Sequence, residues 1–322
     1  MAIPCLFRSL LLAAAVAAPL DAQEPTPESL VRTSALNEAG RFRAAIETIE
    51  PFLDSQNRTS HDAATGVAWN LRGLALQNLG NQDDARRSYE TAIRILCNSP
   101  DEQAQCASAL DNLGSLQAEI GQLENSKSLR TQARKMYEVL MDHAGMARTS
   151  TELALIAIGQ GHRKDARRDL ADAFHEESLV PEPKTGDLAW MFSAQCVQYE
   201  RDGDPRSALV AINRAIELWT QHYGPEYYLL AAGYSTRGKV DDMLREYAGA
   251  AQDMRHSLEV LTVNGQRESS VYYLTEVSYA QVLRHLGQKD EASRMESVGR
   301  AGLESLRHRQ CAGCTISAAS LR

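Results

Sequence analysis

The stretch GVAWNLRGLALQNLGNQDDARRSYETAIRILCNS, Gly66 to Ser99, decides how the rest of the chain is read. Trp69, Leu76 and Leu79 recur at helical spacing, and so do Ala85, Tyr89, Ala92, Ile93 and Leu96, with Gly80 and the polar Asn81-Gln82-Asp83 between the two sets. Two amphipathic helices joined by a tight turn produce that pattern. Gly80 suits the turn because a glycine enters the left-handed region without a Cβ clash and closes the first helix. Gly73 and Ala85 fall where the two helix axes must come close, which a bulky side chain would prevent.

The same spacing runs through the chain. Turns equivalent to Gly80 fall at Gly40, Gly121, Gly161, Gly203, Arg245 and Gly287, at intervals of 40, 41, 40, 42, 42 and 42 residues. Five residues after each turn stand Ala45, Ala85, Ser126, Ala166, Ala208, Ala250 and Ala292; seven before stand Thr33, Gly73, Gly114, Ala154, Cys196, Gly238 and Ala280. All are small. A third small column twelve residues after the turns, Ala92, Ala133, Ala173, Ala215, Ser257 and Gly299, is interrupted only by Phe52. Arg245 departs from the glycine pattern, so the sixth unit is the least regular.

Trp69, Gly73, Ala85 and Tyr89 match the signature of the tetratricopeptide repeat, and the unit resembles that family. Arg72 and Leu76 stand where the family has Leu and Tyr. The length of the units resembles the extended repeats of kinesin light chains, as do Ala109 to Ser115 with Glu119-Ile120-Gly121, and Tyr223 to Tyr227. The resemblance implies an all-α, right-handed α-solenoid superhelix of about seven helix-turn-helix repeats, near 26–58, 66–99, 107–140, 147–180, 189–222, 231–264 and 273–307. Val180 to Gly186 is the longest clear break, read as a longer loop in one continuous array with a hinge as the second choice.

The family's inner, first-helix groove receives extended peptides or a partner helix. Its binding positions fall here on Asn70, Gln77, Asp111, Ser115, Arg148, Thr151, Ser193, Glu200, Ser235, Lys239, Gln281 and Arg284, with Asn112 beside them. Asn amides suit a peptide backbone, and Arg or Lys suit acidic groups. The resemblance implies a scaffold with a protein or peptide partner, and neither an enzyme nor a cofactor protein. No phosphate loop, HExxH pair or GxSxG elbow interrupts that reading.

Net charge is −8, which argues against nucleic acid and anionic membranes as partners. Residues 1–22 read as a secretory signal peptide: Arg8, then the apolar Leu10 to Ala18, then a small residue, Ala22, at the cut. The apolar run is too short to span a bilayer. A periplasmic or secreted destination follows as an expectation. In such a compartment Cys97 and Cys106 can close the connection between the second and third repeats, and Asn57-Arg58-Thr59 is a sequon that matters only in a eukaryotic host.

After the array at 23–308, the tail 309–322 carries Cys311-Ala312-Gly313-Cys314, read first as a structural disulfide or plain thiols. A thiol-active accessory factor using this pair is one alternative function. Another is a self-associating array, because nothing after the seventh repeat reads as a solvating cap helix.

Overall fold

The computed structural model describes residues 27–55 and 62–311. Among the described residues there are fourteen α-helices and one 3₁₀ turn, Pro100–Glu102, and no strand. Two compact units share them, and each is described by itself.

The N-terminal unit, to Asp202, holds α1 (Glu28–Glu38), α2 (Phe42–Ser55), α3 (Ala63–Asn78), α4 (Gln82–Leu96), α5 (Gln103–Glu119), α6 (Leu123–Leu140), α7 (His143–Gly159), α8 (Arg163–Ser178) and α9 (Thr185–Asp202). Successive helices pack as antiparallel pairs, and the first helices α1, α3, α5, α7 and α9 also touch one another in that order. The C-terminal unit, from Gly203, holds α10 (Pro205–Tyr223), α11 (Leu229–Leu244), α12 (Tyr247–Val263), α13 (Ser270–His285) and α14 (Lys289–Cys311). There α11 and α13 are the neighbouring first helices.

One local device ends the first helices. Asn81 N donates to Leu76 O at 2.9 Å and Gly80 N to Gln77 O at 2.9 Å, while Gly80 sits at φ 82°. This pairing satisfies carbonyls that the helix end would strand. The same two bonds recur at Gly40, Gly121, Gly161, Arg245 and Gly287. Arg245 takes the left-handed conformation at φ 67°, so the turn survives without its glycine.

Small columns become close approaches. Ala45, Ala85, Ser126, Ala166, Ala208, Ala250 and Ala292 are all fully buried. A Cβ on Gly73 would lie 2.6 Å from the Tyr89 ring, and one on Gly238 3.0 Å from Met254 Cε. Around these contacts the apolar core runs as a series of clusters, such as Leu76, Ala85, Tyr89, Leu113 and Leu116. Cys97 and Cys106 are joined by a disulfide across the connection from α4 to α5, with Cα atoms 4.9 Å apart.

The segment 179–184 is a loop across which α8 and α9 pack together; the division between compact units falls after Asp202, inside the fifth repeat. Its first helix α9 packs on α7 and α8, and its second helix α10 packs on α11. Along the described side chains of α14, Ala292, Gly299 and Gly302 are buried, while Glu291, Ser293, Arg294, Ser297, Arg300, Glu304 and Ser305 are exposed together with Val298 and Ala301, so the outer face of the final helix is mostly polar. The segment 1–22, Asn57 and Cys314 lie outside the described residues, and Cys311 is the last residue of α14.

Candidate functional site

The inner surface of the N-terminal unit is made by α3, α5, α7 and α9. Polar side chains on neighbouring first helices meet there because residues on adjoining faces have only one another to bond once the helices pack. Asn112 Nδ2 donates to Asn70 Oδ1 at 3.0 Å, and Asn70 Nδ2 donates to Ser108 Oγ at 3.4 Å. Two turns on, Gln77 Nε2 donates to Glu119 Oε2 at 3.1 Å and to Ser115 Oγ at 3.5 Å. Tyr89, on the second helix behind them, donates its hydroxyl to Gln77 Oε1 at 2.8 Å. Burial, with Glu119 and Asp111 nearby, raises the Tyr89 phenol well above its ordinary value.

Between α5 and α9 the ladder is ionic. Arg130 is wholly buried on α6 and reaches Asp111 on α5 at 2.7 Å and Glu152 on α7 at 3.1 Å. Glu152 also accepts the indole N–H of Trp190 on α9 at 2.7 Å. Burial raises the Glu152 carboxyl against the opposing pull of Arg130. One step toward the start of α7, Arg148 lies 3.7 Å from Asp187 of α9 and 5.8 Å from the Tyr137 ring centroid. Burial likewise raises the Asp187 carboxyl, with Arg148 lowering it.

The expected site residues thus divide. Asn70 and Asn112 come together, and so do Gln77 and Ser115. Gln77, Asp111, Asn112, Ser115 and Thr151 are all buried. Asp111 is neutralised by Arg130, and Arg148 is mostly shielded beside Asp187. Ser193 and Glu200 are half-buried on α9.

In the C-terminal unit, Ser235 is buried and accepts from Thr275 Oγ1 at 2.9 Å, and Lys239 is half-buried. Gln281 is exposed and donates to Asp242 at 2.8 Å. Arg284 is exposed but turns to α14, where it pairs with Glu296.

Arg130, Glu152, Trp190 and Asp187 were missed by sequence reasoning. A signal existed for Arg130. Nine residues after the turns the second helices carry Ile49, Tyr89, Leu170, Ile212 and Met254, whereas the third repeat has Arg130 and the last has Glu296. Its Cγ would lie 2.9 Å from a Cβ on Gly114, so the side-chain stem fills the place of the apolar knob while the guanidinium passes through to the first helices.

Among the described residues no helix is long and apolar enough to cross a membrane, and no group of three His, Cys, Asp or Glu side chains is arranged to hold a metal.

Comparison with known proteins agrees with this architecture. A tetratricopeptide repeat family model matches residues 67–95. The human SH3 domain and tetratricopeptide repeat-containing protein 2 is 32% identical over 118 residues, which cover 37% of this chain and only 9% of that protein. Among solved structures, the Cut9–Hcn1 hetero-tetramer of the APC/C contains a chain similar at TM-score 0.64, with 15% identity, over 86% of this chain and 48% of that one. NprR in complex with its cognate peptide NprX is similar at TM-score 0.58, with 15% identity, over 92% of this chain and 87% of NprR. At such identities the structural likeness speaks for the fold. The helix pair between Gly66 and Ser99, which the family model matches on its own, recurs with one turn geometry in both units, and the chain is an all-α helical-repeat solenoid that carries a tetratricopeptide repeat at residues 67–95.

Proposed function

We propose that the chain is a non-enzymatic scaffold that binds an extended protein segment on the first-helix face of its N-terminal unit, and that it works after export. The observation that carries the reading is the Asn70–Asn112 pair. Each side-chain amide has one carbonyl acceptor and two N–H donors. Asn112 is buried and Asn70 half-buried, so a ligand reaches the pair through Asn70, whose Oδ1 and second N–H have capacity beyond the bonds to Asn112 and Ser108. An extended backbone offers the matching N–H and C=O in alternation. The peptide held by the structurally similar NprR is consistent with this use of the fold. The Cys97–Cys106 disulfide supports an oxidising compartment, as does the apolar stretch Leu10 to Ala18.

Selection of phage-displayed random peptides on the intact chain tests the site. Peptides enriched by the wild type should lose binding to an Asn70→Ala, Asn112→Ala variant whose helical circular dichroism is unchanged. Equal binding to both would move the site away from this face. Alkylation of thiols in chain taken directly from cells tests the compartment: Cys97 and Cys106 should be protected until a reductant is added.

A further inference from the structure

Sixteen residues after the turns of the second, third, fifth and sixth repeats, in the last turns of the second helices, stands a large buried apolar or aromatic residue: Leu96, Tyr137, Trp219 and Leu261. Tyr137 sits against Gly145 in the first turn of α7, and Trp219 lies 3.3 Å from a Cβ built on Gly233 of α11. The fourth repeat breaks the column with Glu177. Its side chain is as buried as the apolar ones, at 5% exposure, and neither carboxylate oxygen has a hydrogen-bond partner. Such a group is costly unless it is neutral.

The surroundings deepen the cost. Glu177 is in the last turn of α8, where the carbonyl ends disfavour an anion. From α9 it faces Asp187, with Lys184 just ahead of that helix; from α7 it faces Arg148. Asp142 and Tyr137 complete the charges and dipoles around Arg148, while the neighbouring Glu176 is engaged by His143 at 2.8 Å. Two buried carboxylates therefore share one guanidinium, and the ion pair, at 3.7 Å, goes to Asp187.

We propose that the α8–α9 seam is a protonation switch, closed while Glu177 is a neutral acid and loosened when it ionises beside Asp187. Burial, then the Asp187 charge, raise the Glu177 carboxyl to about 7, with Arg148 opposing. A carboxyl raised in the folded state stabilises fully below the ordinary glutamate range, and that contribution is lost as pH climbs through about 7. Asp187 is raised too, so its contribution has the same sign. Because α9 carries Trp190 and Ser193 to the first-helix face, the seam sets how that helix is held whatever the face binds.

Hydrogen exchange on the full chain between pH 5 and 8, corrected for the intrinsic pH dependence of exchange, reads the seam directly. In peptides spanning 174–192 the opening constant of the wild type should rise by about tenfold per pH unit up to about pH 7 and then level. Glu177→Gln keeps the shape without the Glu177 titration and should rise less steeply than the wild type, with only the Asp187 contribution left. Glu177→Leu restores the apolar column, and should show the same reduced rise and raise the melting temperature more at pH 8 than at pH 5. Peptides of the C-terminal unit serve as the internal reference. A flat wild-type profile, or the same rise in both variants, overturns the proposal.

Discussion

Arg130→Met is the substitution that most directly probes the ionic ladder. Methionine keeps the unbranched stem over Gly114 and fits a column that already holds Met254, so the change removes charge with little loss of packing. What remains is Asp111 at 6% and Glu152 at 13% side-chain exposure, facing each other without the guanidinium that neutralises both. One of them must protonate or draw water into the seam. Protonating an ordinary aspartate at pH 7 costs about 4 kcal/mol. That falls within the roughly 3–5 kcal/mol lost when one member of a buried ion pair is removed.

Urea unfolding followed by tryptophan emission is the assay, since the Trp190 indole is bonded to Glu152 and reports on the ladder itself. The midpoint should fall at pH 7, and the deficit should shrink toward pH 4 as the carboxyls protonate without cost. Adding Asp111→Asn and Glu152→Gln should recover most of the loss, because a neutral network carries a far smaller desolvation penalty. If Arg130→Met alone is as stable as the wild type at pH 7, the carboxylates are not held as charges by Arg130 and the argument fails.

Three further outcomes are expected. Cys97→Ser with Cys106→Ser should cost about 2.5 kcal/mol from the entropy of the short closed loop, and reduction of the wild type should reproduce the loss in equilibrium denaturation. Arg245→Gly should raise stability by about 0.5–1 kcal/mol, since a non-glycine residue at φ 67° carries a strain that glycine lacks; an unchanged midpoint would show that the Arg245 side chain offsets it. Gly73→Leu should collapse the N-terminal unit's cooperative transition, because even a Cβ there meets the Tyr89 ring at 2.6 Å, and a native-like melt would refute that packing.

Much of the fold was legible because it is written locally and repeated. A left-handed turn every 40–42 residues and the small columns around it follow from short-range sterics, and each helix falls within a few residues of the span its periodicity indicates. Arg245 was doubtful by residue type, yet the flanking helices impose the turn and the arginine adopts it. The polar surface was less legible. Asp111, Gln77 and Ser115 were assigned to the groove by repeat phase, which gives a side but not a depth, and they are buried because burial depends on how closely the next first helix approaches. Arg284 was placed on the inner face by the same phase, and its side chain instead meets Glu296 on α14.

The sequence by itself determined the helix pair, its turn, its repetition and hence the all-α helical-repeat class, since all of these rest on contacts within one repeat. Only the tertiary structure decided that Arg130, Glu152 and Trp190 form one ladder and that Glu177 meets Asp187 across the seam. Those pairings join different repeats through side chains whose charge state and partners depend on the distance between packed helices, a quantity no spacing along the chain contains.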